Sequence, residues 1–200
     1  MERPARARGA RFVSALTAHP LMLRHPGGMR PLLAMAAGLL FTLSACSPGS
    51  AQAERSPADA GPLLAYELVD VTSGERFTLG ELAADRPVLL ETMAVWCTTC
   101  LSQQREVVQA HAIADFHSVG IDVDPNEEAD DLAAYADREG FDWRFAMADA
   151  QLVKLLTDLY GFGVTNPPST PTFVIADGSI RALEFGRVRS AEELVSELAG

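Results

Sequence analysis

Pro87-Val88-Leu89-Leu90-Glu91-Thr92-Met93-Ala94-Val95-Trp96-Cys97-Thr98-Thr99-Cys100 is the stretch that decides the fold. An apolar run interrupted only by Glu91 and Thr92 predicts a strand over 88–95 with both faces buried. The segment from Cys97 to about Asp115 has helical composition. Cys97 therefore falls in the turn at the mouth of a helix, and Cys100 one turn inside it. Unpaired N–H groups and a partial positive charge at that terminus favour thiolate over thiol. A thiolate facing a second thiol across two residues is equipped to exchange with disulfides.

The elements around this stretch alternate. Leu63–Val71, a turn at Thr72–Glu75 and Arg76–Leu79 predict a strand, a turn and a short strand, with a single helical turn opening at Thr78. Val119–Val123 reads as the next strand and Glu127–Glu139 as a helix, with Leu132, Ala133, Tyr135 and Ala136 as its inward stripe. Asp149 is a natural N-cap for a helix over Ala150–Tyr160. Thr172–Ile175, the Asp177-Gly178 turn and Ile180–Phe185 form the clearest hairpin, and Glu192–Leu198 follows Ser190 as a last helix. Strands alternating with helices, then a hairpin and a helix, imply a mixed sheet covered on both faces.

The front of the chain has a different character. Residues 1–30 hold six arginines and one acid, Glu2, and lead into an apolar block over Leu32–Leu43. That block is shorter than the roughly 20 residues of a membrane span and suits the core of a signal peptide, with Met22 and Met29 as alternative starts. Leu43-Ser44-Ala45-Cys46 resembles a lipobox, in which Cys46 carries lipid after the preceding segment is removed. The expected organisation is a lipoprotein signal peptide over 1–45, a flexible tether over 46–62 and one folded domain over 63–200. As a coil the tether spans on the order of 20–25 Å. Three cysteines then resolve into one anchor and one pair. Loss of residues 1–45 removes six of 16 basic and one of 27 acidic residues, leaving a formal charge of −16. Such a surface repels nucleic acid and anionic headgroups, so the membrane link is expected to be the lipid.

From about Leu63 onward the chain resembles thioredoxin-fold proteins of the redoxin/TlpA-like branch. The resemblance rests on the strand leading into Trp96-Cys97-x-x-Cys100, on Ser169-Thr170-Pro171-Thr172-Phe173-Val174-Ile175, and on the Asp177-Gly178 hairpin. It implies an α/β thioredoxin-like fold, a central mixed β-sheet flanked by helices on both faces, with an N-terminal β-hairpin extension. It also implies an extracytoplasmic thiol–disulfide oxidoreductase with a redox-active Cys97–Cys100 disulfide and no other cofactor or metal. In that scheme Cys97 is the exposed nucleophile, Cys100 resolves the mixed disulfide, and Glu91 handles the Cys100 proton. Trp96 shields one side of the pair. Pro171 is the cis-proline that faces the site and leaves the Thr170 backbone free to pair with an incoming peptide. The implied partners are thiols and disulfides of exported proteins, apocytochromes c among them, and a thiol-reducing electron donor in the membrane. Proline commonly precedes the second cysteine in this family; Thr98-Thr99 stand here instead, which leaves the direction of electron flow open.

Other readings have specific weaknesses. Gly120–Pro125 with Leu132–Ala136 echoes Sco-like copper chaperones, yet the cysteine spacing is C-x-x-C and no histidine follows His117. A thiol peroxidase would carry threonine three residues before its cysteine, where this chain has Ala94. A module without redox activity leaves two suitably spaced cysteines unused. His111 and His117 read as surface or capping residues. The acids at Glu127-Glu128 and Asp130-Asp131 read as solvated charge at a helix N-terminus, because calcium-loop spacing is missing.

Overall fold

The computed structural model describes residues 54–55 and 57–200; the signal segment, Cys46 and most of the tether lie outside the described residues. In chain order the elements are β1 (Glu54–Arg55), α1 (Pro57–Leu64), β2 (Leu68–Val69), β3 (Arg76–Phe77), α2 (Leu79–Ala83), β4 (Val88–Met93) and α3 (Thr98–His111). They continue with β5 (His117–Asp122), α4 (Ala129–Glu139), β6 (Arg144–Met147) and α5 (Ala150–Tyr160). Two 3-10 turns (Phe162–Thr165 and Pro167–Ser169), β7 (Thr172–Ala176), β8 (Ser179–Ala182) and α6 (Ala191–Leu198) complete the chain.

The large sheet runs β1-β8-β7-β4-β5-β6. β4, β5 and β6 are parallel, while β7 pairs antiparallel with both β4 and β8. All six residues of β4 are buried, as the apolar run requires for a strand covered on both sides. Val88 and Leu90 face one core with Ala60 and Leu63 of α1, Leu79 of α2, and Leu152 and Leu156 of α5. Leu89 faces the opposite core with Val107 and Ala110 of α3 and Leu194 of α6. Met93 joins a third apolar cluster with Cys97, Cys100, Leu132, Tyr135, Phe141 and Phe145. The α/β architecture and the sheet covered on both faces therefore match the sequence expectation.

Three features differ from that expectation. Pro57–Leu64 is a helix whose Ala60 and Leu63 are fully buried, so ordered packing begins inside the stretch read as tether and no strand opens at Leu63. The N-terminal hairpin is correspondingly short, pairing Leu68 with Phe77 and Val69 with Arg76. β6 had no counterpart in the sequence reading. It forms because its Phe145 ring lies directly over Gly120 of β5; a Cβ added at Gly120 would meet two ring carbons at 2.5 Å.

Phe145 is fully buried and has nowhere to retreat. Gly120→Ala is therefore expected to destabilise the fold by about 1–3 kcal/mol through overpacking. Urea or guanidinium unfolding reads this as a lowered midpoint with little change in slope.

Candidate active site

Cys97 is the N-cap of α3, with an extended backbone, and its Sγ accepts the N–H of Cys100 at 3.1 Å. The two cysteines form a disulfide, their Cα atoms 5.3 Å apart. No acidic residue occupies the first turn of the 14-residue helix, so no side chain of the helix itself opposes its positive end. Cys100 Sγ lies 3.2 Å from the Pro167 carbonyl oxygen. In the disulfide neither sulfur has a proton to donate. Once reduced, the Cys100 thiol has an acceptor in place, whereas Cys97 faces a donor. The asymmetry favours a thiolate at Cys97 and a protonated Cys100.

The expected exposure of Cys97 is not found: the residue is 2% exposed and Cys100 3%. The cause is its cap geometry, which turns Sγ back over its own first turn, and the apolar cluster that takes in both cysteines. Trp96 is 55% exposed, so it is no core residue, and its indole N–H donates to Asp124 Oδ2 at 2.6 Å.

Glu91 lies on the same face of β4 as Leu89 and Met93, toward α3. Its Oε1 is buried with no hydrogen-bond partner. The space it shares with Leu89, Val107, Ser118, Val119 and Trp143 is too narrow for a water molecule. Burial raises its pKa to about 8, and the charge of Arg189 opposes this only partly. Arg189 is 1% exposed, and its Nε and Nη1 also lack partners. Its backbone is tied to α3 through Gln103, whose amide accepts Arg189 N–H at 2.7 Å and donates to Arg189 O at 3.2 Å.

Thr170 and Pro171 both lie beside the turn that reaches Cys100. Thr170 is left-handed (φ 46°, ψ 60°) and 3% exposed. Its N–H donates to Pro167 O at 2.8 Å, its carbonyl accepts the Thr172 hydroxyl at 3.0 Å, and its hydroxyl donates to Arg187 O at 2.7 Å. The Thr170 N–H and hydroxyl are thus both engaged within the loop. Pro171 is buried, and its carbonyl accepts the Thr92 N–H at 3.1 Å, extending the β4–β7 ladder.

The sequence reading missed Pro167, Arg189 and the acids of the β5–α4 loop. Nothing in the local pattern around Pro167 signals a carbonyl at Cys100. Asp122 was legible in principle, because β5 alternation places it on the side of Ser118 and Gly120, facing α3 and α4. His111 stacks on Phe116 (centroids 4.0 Å apart) and meets the Ser118 hydroxyl at 2.9 Å, while His117 meets Asp85 at 3.2 Å. Both are half-buried and engaged with neighbouring side chains.

No family model and no curated protein matches the chain. Solved structures do. A thiol:disulfide interchange protein of the thioredoxin family from Chlorobium tepidum is 24% identical, over 68% of this chain and 93% of its own, with a TM-score of 0.51. A secreted Mycobacterium tuberculosis disulfide oxidoreductase homologous to E. coli DsbE is 16% identical, over 68% and 96%, with a TM-score of 0.54. A SCO1/SenC family lipoprotein from Bacillus anthracis is 16% identical, over 68% and 93%, with a TM-score of 0.53. The chain has the thioredoxin-like fold.

A carboxyl whose pKa is raised on folding holds a proton that the unfolded chain releases near 4.5. Stability therefore falls with rising pH between about 4.5 and about 8, by on the order of 1 kcal/mol per pH unit for each such group. Glu91→Gln removes the Glu91 share, so denaturant midpoints measured across that window should fall less steeply than those of the wild type.

Proposed function

We propose that the protein exchanges electrons with thiols and disulfides of other proteins through Cys97 and Cys100. The observation that carries this reading is the Cys97–Cys100 disulfide at the N-terminus of α3, immediately beyond the central strand of a thioredoxin-like sheet. In the reducing direction the Cys97 thiolate attacks a partner disulfide, forming a mixed disulfide and expelling one partner thiolate. Cys100 then loses its proton and attacks Cys97 Sγ. The Cys97–partner bond breaks, the Cys97–Cys100 bond forms, and the second partner sulfur leaves as thiolate. Two electrons pass to the partner. Glu91 is the proton acceptor in this scheme, and it acts as a base only once its own carboxyl is ionised, toward the pH of about 8 to which burial raises its pKa. The same steps reversed oxidise a partner dithiol.

The reading extends to an extracytoplasmic protein tethered by lipid on Cys46. It draws on Leu43–Cys46 and on two proteins of like fold, one described as secreted and one as a lipoprotein. Among the described residues no helix is long and apolar enough to cross a membrane. Exported proteins with reducible cysteines, apocytochromes included, are the proposed substrates, and a membrane thiol reductant the proposed electron source.

The burial of Cys97 favours a second reading, in which the disulfide is a staple in a binding module. Magnitude lends it little support. Closing a loop of four residues constrains the unfolded chain by only about 2 kcal/mol. A Sco-like copper role has two sulfurs, but among the described residues no three His, Cys, Asp or Glu side chains converge on one point.

Cys97→Ser is expected to abolish reduction of insulin disulfides, and Cys100→Ser to accumulate a mixed disulfide visible by intact mass. Full turnover in Cys97→Ser would end the exchange reading. Equilibration with glutathione separates the staple, which yields only on unfolding, from a couple that titrates in the native state.

A further inference from the structure

The segment that enters Cys97 is held by acidic side chains of a single loop, the one joining β5 to α4. Glu127 Oε2 accepts the Val95 N–H at 2.8 Å, and Asp124 Oδ2 accepts the Trp96 indole N–H at 2.6 Å. The loop is fixed in turn by Asp122, whose Oδ1 accepts the Asp124 N–H at 2.8 Å. Asp122 is 0% exposed, and its Oδ2 has no donor. Its carboxyl and that of Glu127 meet side by side. Two adjacent carboxylates, one of them out of water, do not both ionise. A proton on Asp122 Oδ2 removes the orphan, gives Glu127 a donor and leaves Glu127 anionic. An anionic Glu127 is the stronger acceptor for the Val95 N–H.

We propose that Asp122 and Glu127 share one proton and, together with Asp124, clamp the Val95–Trp96 segment so that Cys97 is held in its buried setting. These acids are positioning residues for disulfide exchange; they touch neither sulfur. The exchange part rests on the function proposed above, whereas the clamp itself does not.

Burial and the neighbouring Glu127 raise Asp122 to about 8. The charged groups acting on it are Glu127 and Asp124 of its own loop. Its register partners are Met93 on β4 and Met147 on β6, neither of which titrates. α4 opens with Glu128, Asp130 and Asp131, all exposed, and on β4 Glu91 lies two positions behind Met93. Cys97 and Cys100 at the start of α3 do not titrate while bonded. Below about pH 8 Asp122 holds its proton and the clamp is closed; above it, the ionised Asp122 faces the Glu127 carboxyl and the hold on Val95 is weakened.

The test uses oxidised protein in a Trp143→Phe background, leaving Trp96 as the only tryptophan. Its fluorescence should change in a single transition near pH 8. Asp122→Asn, whose amide donates without titrating, should abolish that transition. Glu91→Gln, which removes the other raised carboxyl, should leave it in place. Glu127→Ala should speed reduction by dithiothreitol at pH 7 by about tenfold, the equivalent of one charge-assisted hydrogen bond. Glu127→Gln, which keeps an acceptor, should restore most of the protection. A flat Trp96 signal in the wild type, or the same transition in Asp122→Asn, overturns the clamp. So does an unchanged reduction rate in Glu127→Ala. Turnover by Cys97→Ser would sink the exchange reading while leaving the Trp96 titration a test of the clamp alone.

Discussion

Burial of β4 on both faces is the constraint from which the rest of the site follows. A strand with covered flanks cannot place a polar side chain in water, so each of its polar residues must be satisfied internally or neutralised. Thr92 solves the problem by donating its hydroxyl to the Val164 carbonyl at 2.6 Å, which also fixes the turn after α5. Glu91 has no such partner on Oε1 and answers by holding its proton. Four residues separate the end of the strand from α3, and its last residue, Met93, belongs to the apolar cluster that buries Cys97. An apolar run chosen to make a core thus sets the electrostatics of the sulfur chemistry.

Burial alone does not set the pKa of an acid here. Asp70 is 5% exposed, and its burial works to raise its pKa. Hydrogen bonds from Ser73, the Phe145 amide and Thr72 outweigh that effect and hold its carboxyl below the usual range. Glu91 and Asp122 sit at similar depth with fewer donors and shift the opposite way. Asp70 is a hinge pin that joins the β2–β3 hairpin to β6. In the other two the cost of burying charge prevails, and both hold a proton to about pH 8.

How much of this was legible depended on whether the signal was local. α5 was readable residue for residue, because Asp149 caps it through the Leu152 N–H and nothing distant competes. The β7–β8 hairpin was readable from Asp177-Gly178, both at positive φ. α1 was not, since Pro57, Gly61 and Pro62 are poor helix formers. It exists because Ala60 and Leu63 find a core made by α2 and α5. β6 likewise depends on the bare backbone at Gly120 and not on its own composition. The cysteine pair and Glu91 were legible from type and spacing. Glu127 was misread as solvated because its acceptor role points at Val95, 32 residues back along the chain. The left-handed backbone of Thr170 was not legible, because a threonine at positive φ has no sequence signature.

The poise of the couple emerges from opposed terms that the fold brings to one place. The N-terminus of α3 and the Cys100 N–H stabilise negative charge on Cys97 and so favour the dithiol state. The acidic loop at Asp122, Asp124 and Glu127 works against that charge from the other side of Trp96. The Pro167 carbonyl favours a protonated Cys100, and Thr98 and Thr99 add no charge between the sulfurs. A single proton between Asp122 and Glu127 weakens the opposition by one unit of charge at the point nearest the turn. The acids that hold the cysteine turn in place would otherwise raise the energy of its thiolate. Sharing a proton lets this loop serve as a mechanical anchor with less electrostatic penalty.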